Sequence, residues 1–438
     1  MKKAVPAVVA LLVPALAYFA VVMHFAVDVP YWDDYDTVLA YANRPAGERM
    51  QHLFSQHHEH RLVLNRLLCE AARLVEGKIN FAHLILLGNA MLVILFCLIW
   101  TSTEAFRRAP WMIVPAGFLL FQVQAWENIF WVTSVLQNNG VLLFAFGAFV
   151  VWRGGGWWRR ILAALLAACA AFTNGNGFLV AVMLAAAETV RTISDRDCGA
   201  TAGLVRRWGG FFFVTLACAG VLAGYFWSYE IPAYHPSIPL ALLNPHILAA
   251  HYLALLGSYM IWMPLAIAVG AGTVIFAGFL LKRRYYSLNP AVFWMLAFLL
   301  ASLAVVSVCR SGFGMDQALS SRYKVYTVMI MVCMYVASLD LNLFGIARSR
   351  YLAAVAATAG IVFSVMSYAF TMDEVSRHRQ RLVSGIEQWR VDGTGLTYRN
   401  NDLASPILRK AIDTGAYSMP RFGKVPHTES GNDAARGR

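Results

Sequence analysis

Charged residues are scarce in this chain of 438 residues. Asp, Glu, Lys and Arg together make up 14% of it, against the roughly 25% that is usual for soluble domains. Hydrophobic residues reach 59%, and apolar runs of about 20 residues recur along the chain, each long enough to cross a hydrocarbon core. Because backbone groups in lipid must be hydrogen-bonded internally, these runs predict helices. The composition excludes a soluble globular protein and predicts an all-α, polytopic membrane protein.

Several sequence patterns are missing as well. No Cys-x-x-Cys pair occurs among the seven cysteines, no His-Glu-x-x-His motif is present, and no internal repeat is detectable. The missing His motif argues against zinc-protease chemistry. The net charge of +12 comes from short connectors and the tail, without a continuous basic and aromatic surface, which argues against a nucleic-acid partner. The expected partners are membrane lipids and molecules that lipids carry.

The apolar runs predict eleven membrane spans. They lie at roughly 4–25, 81–100, 110–125, 132–152, 161–173, 177–193, 210–228, 253–280, 291–308, 325–345 and 351–370. On one side every connector, from "MKK" to "ARSR", contains at least two Lys or Arg, whereas the opposite connectors nearly lack them. The positive-inside rule therefore predicts a cytoplasmic N-terminus, with the first run kept as a helix, and an outer C-terminus.

This topology predicts two regions. A transmembrane domain covers 1–370 and includes a long outer loop at 25–80 with amphipathic helices, and an outer tail covers 371–438. The tail opens with "DEVSRHRQRLVSGIEQWR", whose pattern predicts an amphipathic helix. It ends in "HTESGNDAARGR", whose composition predicts disorder. Small inner loops and large outer loops place the expected chemistry on the outer face.

The stretch "DVPYWDDYD" follows the first span and crowds acids beside aromatic rings. Asp33, Asp34 and Asp36 cannot lie in hydrocarbon as isolated ions, and a solvated loop is one interpretation. Tyr31 and Trp32 are interfacial residues that would hold these acids at head-group depth, which favours a functional site. We predict Asp33 and Asp34 as the catalytic acids, with Tyr31, Trp32 and Asp36 in support. Either no cofactor is needed or the acids hold Mg²⁺ or Mn²⁺ through oxygen ligands.

The second motif in the first loop is "QHHEHR". A downstream apolar stripe at helical spacing predicts that this motif heads an amphipathic helix. On that helix His57 and Arg61 face protein, and Glu59 lies on the polar face. The histidines could be surface residues, or His57 and His60 could be metal ligands. An arginine with imidazoles nearby suits a phosphate or diphosphate better, so we predict these four residues as substrate-binding.

Other outer segments carry further candidates. Arg310 and Arg322, with Tyr323 beside the latter, are candidate phosphate contacts, although interfacial anchoring would also explain them. Glu127 and Asn128 in "QAWENIFW" are substrate contacts or the polar tip of an aromatic belt. The glycines of "FTNGNGF" are explained by a tight reversal between spans, and Asn174 is the candidate contact there.

These motifs resemble the integral-membrane glycosyltransferases of the GT-C fold. "PYWDDYD" followed by "QHHEHR" is similar to bacterial members with PYWDxWD and QHNEHR loops, and the likeness extends to "QAWENIFW", "TNGNGF" and "RSGFGMDQALSSRY", thus over most of the chain. In the family's pattern Asp33 matches the first acid, Asp34 stands where Glu is often found, and His58 stands where Asn is usual. The departure at Asp34 leaves open which acid acts.

The resemblance implies an inverting transfer of a sugar from a polyprenyl-phosphate or diphosphate carrier to a glycan, lipid or protein acceptor. The site would face the periplasm from a bacterial inner membrane, with a first-loop acid as general base. Such a displacement needs one carboxylate to take a proton and positive groups to stabilise the leaving phosphate. Two alternatives remain open: a transporter or flippase of lipid-linked sugars, which would favour midplane sites and repeats, and a polymerase or ligase of O-antigen type.

Overall fold

A computed structural model describes residues 5–194, 201–232, 236, 238–343 and 346–422. In chain order the helices are α1 Val5–Phe25, α2 Ala40–Ala42, α3 Ala46–His52, α4 Val63–Glu76, α5 Phe81–Ser102, α6 Glu104–Arg108, α7 Val114–Leu120, α8 Trp126–Phe130, α9 Val132–Arg153, α10 Trp157–Ala171, α11 Phe178–Ser194, α12 Thr201–Phe226, α13 Ile238–Leu243, α14 Pro245–Leu256, α15 Met263–Lys282, α16 Tyr285–Leu288, α17 Pro290–Arg310, α18 Lys324–Asp340, α19 Ile346–Asp392 and α20 Asn401–Asp413. A π-helical segment, Tyr35–Leu39, precedes α2, and two short strands, β1 Gln56–His57 and β2 His60–Arg61, pair antiparallel.

The helices confirm a polytopic helical membrane protein. Within the described ranges, eight helical segments are long and apolar enough to cross a membrane, and three shorter apolar helices accompany them. The single span predicted at 253–280 is wrong, because that stretch contains two helices, α14 and α15. Pro264 lies in the first turn of α15, where its missing N–H costs nothing, so a helix starts there easily.

Helix α9 lies at the centre of the bundle, in contact with α5, α10 and α17. Two glycines permit the close approach of its neighbours. A Cβ added at Gly88 of α5 would lie 2.6 Å from a methyl group of Val135, and one added at Gly140 would lie 2.6 Å from a methyl group of Leu64. Small residues at helix crossings let backbones approach in this way. The close packing buries a polar stretch of α9 that contains Ser134, Gln137, Asn138 and Asn139.

The first loop differs from its predicted form at "QHHEHR". The prediction of a helix there is wrong: Gln56 pairs with Arg61 and His57 with His60 in a hairpin, and α4 begins only at Val63. The buried face of α4 is also different, because Asn65, Arg66 and Cys69 are buried, whereas Leu67 and Val75 of the apolar stripe are exposed. The hairpin displays alternate side chains on opposite sides, which a helix would not do.

The tail packs against the first loop. Helix α19 runs without a break across the predicted boundary at residue 370, and α20 follows it. The Tyr417 hydroxyl donates a 2.6 Å hydrogen bond to the carbonyl of Asp28, and the Trp32 amide donates one of 3.0 Å to the carbonyl of Thr397. The predicted disordered segment, 427–438, lies outside the described residues. Loop and tail therefore form one layer over the end of the bundle.

Candidate active site

A cavity of about 350 Å³ lies where α9, α11 and α18 begin and where α12 and α17 end. Residues of the first loop, of the 309–324 loop and of the tail, which the sequence predicts to lie on one side, contribute to its lining. The predicted site residues that line the cavity are Trp32, Asp33, Glu59, His60, Asn174, Arg310, Arg322 and Tyr323. Those that do not line it are Tyr31, Asp34, Asp36, His57, Arg61, Glu127 and Asn128.

Asp33 is the acid of the "DVPYWDDYD" stretch that lines the cavity. The preceding residue, Trp32, has a left-handed backbone with φ of 46°, which is uncommon for a large side chain and marks a constrained position. The Asp33 carbonyl accepts a 2.8 Å hydrogen bond from the Thr37 hydroxyl. Burial raises the pKa of the Asp33 carboxyl, while His58, Arg322 and Arg399 act to lower it. The arrangement can supply a carboxylate that takes a proton.

Asp34 points into the protein and is 1% exposed. Its Oδ1 accepts hydrogen bonds from the Thr133 amide at 2.8 Å and the Thr133 hydroxyl at 2.6 Å, and its Oδ2 accepts one from the Tyr31 amide at 3.1 Å. Burial raises the pKa of Asp34 to about 7, against the lowering effect of these three donors. Asp34 thus ties the loop to the start of α9 and offers nothing to the cavity.

The supporting residues of the first loop also have partners. The Tyr398 hydroxyl donates a 2.6 Å hydrogen bond to the Asp36 carboxylate. The Tyr31 ring lies edge-on to those of Trp131 and His378, with centroids 5.5 and 4.7 Å away. These contacts hold the loop on the bundle and the tail on the loop.

The hairpin brings Glu59 and His60 to the cavity. The Glu59 carboxylate forms an ion pair with the guanidinium group of Arg310, at the end of α17. His60 Nδ1 accepts a 2.8 Å hydrogen bond from the Gly175 amide. A Cβ at residue 175 would lie 2.6 Å from that nitrogen and 3.1 Å from the carbonyl oxygen of Glu59, so the close packing of the hairpin against this turn requires glycine.

Arg61 lies away from the cavity. Its guanidinium group donates to the carbonyls of Tyr225 and Phe54, each at 2.7 Å, and to that of Trp227. It is buried, as predicted, but in a strand rather than on a helix face. These bonds fasten the hairpin to the end of α12 and use three of the five N–H donors of the guanidinium group.

Two further arginines face the cavity beside Asp33. Arg322 lies just before α18, and its buried Nε has no hydrogen-bond partner among the described residues. Arg399 belongs to the tail and is exposed. Sequence reasoning missed Arg399, because the tail carries no motif and only the packing of loop against tail brings it here. Arg310 is paired with Glu59, so Arg322 and Arg399 are the arginines that lie beside Asp33.

Asp33, His57 and His58 form a group that can hold a metal ion. One potential ligand atom of each lies within 4.8 Å of the others. Burial lowers the pKa of His57 to about 3, which keeps its imidazole neutral. Two imidazoles and one carboxylate suit Zn²⁺ or a similar transition ion better than Mg²⁺, which prefers oxygen ligands. The structure does not bring Asp33 and Asp34 together in such a group, since Asp34 binds Thr133.

Glu127 and Asn128 lie beside the cavity in supporting positions. Glu127 Oε2 accepts a 2.6 Å hydrogen bond from the Ser321 hydroxyl and so holds the segment before α18. Asn128 is buried, and its Oδ1 accepts a hydrogen bond from Asn138 Nδ2 at 2.9 Å. Asn138 in turn lines the cavity. Asn138 lies inside a predicted span, and no sequence motif marks it as a site residue.

The fold and the site define an integral-membrane protein with an acid- and arginine-lined cavity at one end of its helical bundle. No protein-family model, curated protein or solved structure matches the chain.

Proposed function

We propose that the protein is an inverting membrane glycosyltransferase that moves a sugar from a polyprenyl-phosphate carrier to an acceptor hydroxyl. One observation carries this proposal: Asp33 shares a single cavity with Arg310, Arg322 and Arg399 at one end of the bundle. The reaction needs a carboxylate that takes a proton from the acceptor, and it needs cations that stabilise the leaving phosphate. The proposal includes a diphosphate carrier, which would use the same cations.

In the proposed reaction the Asp33 carboxylate takes the proton of the acceptor hydroxyl. The acceptor oxygen forms a bond to the anomeric carbon while the bond from that carbon to the carrier phosphate breaks. The electron pair of the broken bond leaves with the phosphate, whose negative charge Arg322 and Arg399 stabilise. Phosphate is a good leaving group, so a second carboxylic acid is not obligatory, in contrast to glycoside hydrolysis.

The walls of the cavity support a lipid-linked donor. Phe178, Phe226, Leu303, Val305 and Val306 contribute apolar surface from α11, α12 and α17. A polyprenyl chain can lie against such surface, because burying its methylene and methyl groups is favourable. The charged head group of the carrier would then lie at the helix ends, beside the arginines. A soluble nucleotide sugar has no hydrocarbon chain that these apolar walls could bind.

We also propose a fold family, a membrane topology and a cellular location for the protein. The fold would be GT-C-like with about eleven spans, the N-terminus in the cytoplasm and the site facing the periplasm of a bacterial inner membrane, as the distribution of Lys and Arg supports. The acceptor would be a cell-envelope glycan, lipid or protein.

The test compares Asp33→Asn with Asp34→Asn and Asp36→Asn in membranes supplied with a labelled polyprenyl-phosphate sugar. Asp33→Asn should lower the rate of transfer by roughly 10²–10⁴-fold, the usual contribution of a general base. Asp34→Asn should keep the wild-type rate of transfer per folded molecule. Asp36→Asn should keep it as well, because the amide oxygen can still accept the hydrogen bond from the Tyr398 hydroxyl. Full activity in Asp33→Asn would refute the proposal. Carrier-linked sugar crossing the membrane without transfer to an acceptor would favour a transporter instead.

A further inference from the structure

The part of the cavity inside the bundle is lined by uncharged polar groups. Ser134, Gln137 and Asn138 lie on one face of α9 at the spacing of successive helical turns. Asn174, Asn176 and Tyr326 complete this surface from the turn before α11 and from α18. These six residues form what we name the amide floor. The charged lining residues come instead from loops, helix ends and the tail.

Hydrogen bonds within the amide floor hold its side chains in place. Asn138 Oδ1 accepts from Asn174 Nδ2 at 2.9 Å and from the Tyr326 hydroxyl at 3.0 Å. Asn138 Nδ2 donates to the Ser134 hydroxyl at 3.2 Å, and Asn176 Nδ2 donates to the Tyr326 hydroxyl at 3.1 Å. Such a network is pre-organised, so a ligand that binds it need not order these side chains first.

Gln137 is the exception within this network. It is 7% exposed and lines the cavity, yet its side-chain amide forms no hydrogen bond with any residue in the described part of the chain. The polar atoms of its amide are open to the space of the cavity, whereas the enclosed atom of the amide floor that has no hydrogen-bond partner is Asn176 Oδ1. An amide has two donors and one acceptor to offer. Gln137 therefore presents open hydrogen-bonding capacity to whatever fills the cavity.

We propose that the amide floor is the binding site for the hydroxyl groups of an uncharged sugar ring, with Gln137 as its principal contact. This inference rests on the proposed function and specifies its substrate class. Amides and hydroxyls match sugar hydroxyls, which donate and accept at once. None of the six residues carries a charge, so a sugar carboxylate placed here would lose its hydration without gaining a cation. The site thus favours a neutral hexose over a uronic acid.

The experiment measures binding to the purified full-length protein in detergent. Three probes share one carrier: sugar-free polyprenyl phosphate, the carrier with a neutral hexose, and the carrier with a uronic acid. The wild type should bind the hexose form roughly tenfold more tightly than the sugar-free form, as expected when a buried amide gains its partner. The uronic-acid form should bind no more tightly than the sugar-free form.

Gln137→Leu tests the contact, and Gln388→Leu is the matched control, since Gln388 lies exposed on α19. Gln137→Leu should bind sugar-free carrier as the wild type does, but should lose most of the increase in affinity that the hexose gives. The Gln388→Leu control should keep that increase in affinity. An increase in affinity for the hexose form in Gln137→Leu equal to that of the wild type would overturn the inference about the amide floor but not the proposed function. Tighter binding of the uronic-acid form than of the hexose form by the wild type would do the same. Failure of the wild type to bind any carrier would overturn the proposed function with it.

Discussion

The Tyr398 hydroxyl donates a 2.6 Å hydrogen bond to the Asp36 carboxylate, joining residues 362 positions apart in the chain. The bond links the tail to the first loop, three residues after Asp33. It also places the next residue of the tail, Arg399, at the cavity. The candidate site is therefore completed by a segment that follows the last membrane helix.

Arg399→Ala should shift the pH dependence of transfer. Burial raises the pKa of Asp33, and Arg399 lowers it by stabilising the carboxylate. The base must be ionised, so kcat/KM should rise with pH, with a midpoint above the ordinary range of an aspartic acid. Removing Arg399 should move that midpoint to still higher pH. A pH–rate profile of the variant measures the shift.

The control for this shift is Arg409→Ala, which removes an exposed arginine from α20. Its profile should match the wild type. Identical midpoints in Arg399→Ala and the wild type would show that the Arg399 charge does not act on the base.

Asp34 should make the protein less stable as the pH rises. Its pKa in the folded protein is about 7, against about 3.9 in an unfolded chain. Between these values the folded state binds more protons, so the free energy of unfolding falls with increasing pH. The favourable contribution is complete below about pH 4 and is lost by about pH 7, an effect of up to a few kcal/mol. Thermal denaturation in detergent across this pH range measures how steeply the stability falls as the pH rises.

Asp34→Asn removes the ionisable group and should flatten this slope. The variant should also be less stable at low pH by about 1 kcal/mol, since its amide nitrogen cannot accept from the Tyr31 amide. Asp28, whose pKa burial raises to about 6, acts in the same direction and remains in both proteins. A slope unchanged by Asp34→Asn would contradict the assignment.

Arg61→Ala should destabilise the protein without changing its use of donor. The substitution leaves the carbonyls of Phe54, Tyr225 and Trp227 without their donor, at a cost of about 2–4 kcal/mol. Melting temperature and the KM for the polyprenyl-linked donor measure the two effects separately. Arg49→Ala, in the same loop but paired with Glu70 near the surface, should cost less than about 1 kcal/mol. A raised KM with an unchanged melting temperature would place Arg61 at the phosphate instead.

Zn²⁺ should inhibit transfer by binding Asp33, His57 and His58. The ion would occupy the carboxylate that takes the proton in the proposed reaction. Replacing His58 by Asn removes one ligand and should raise the inhibitory concentration by roughly tenfold or more. His83→Asn, at an exposed residue, is the control. Inhibition that is equal in all three proteins, or absent from the wild type, would show that these residues do not hold the ion.

The sequence determined the class of the protein. Runs of apolar residues become helices in lipid wherever they occur, because no other backbone arrangement satisfies their polar groups there. It also predicted that the acids and the polar motifs lie in loops outside the hydrocarbon, because isolated charges are costly there. Asp33, Glu59, His60, Asn174, Arg310, Arg322 and Tyr323, all predicted from local patterns, do line one cavity.

The tertiary structure decided which of these residues face that cavity. Asp33 and Asp34 are equivalent in sequence, but Thr133, distant in the chain, holds Asp34 inside the protein. The segment at Gln56–Arg61 is a hairpin because Arg61 binds carbonyls at the end of α12, a contact that no local periodicity encodes. Arg399 and Gln137 likewise reach the cavity only through packing of the tail and of α9. Side-chain direction depends on long-range contacts, whereas membrane insertion depends on local composition.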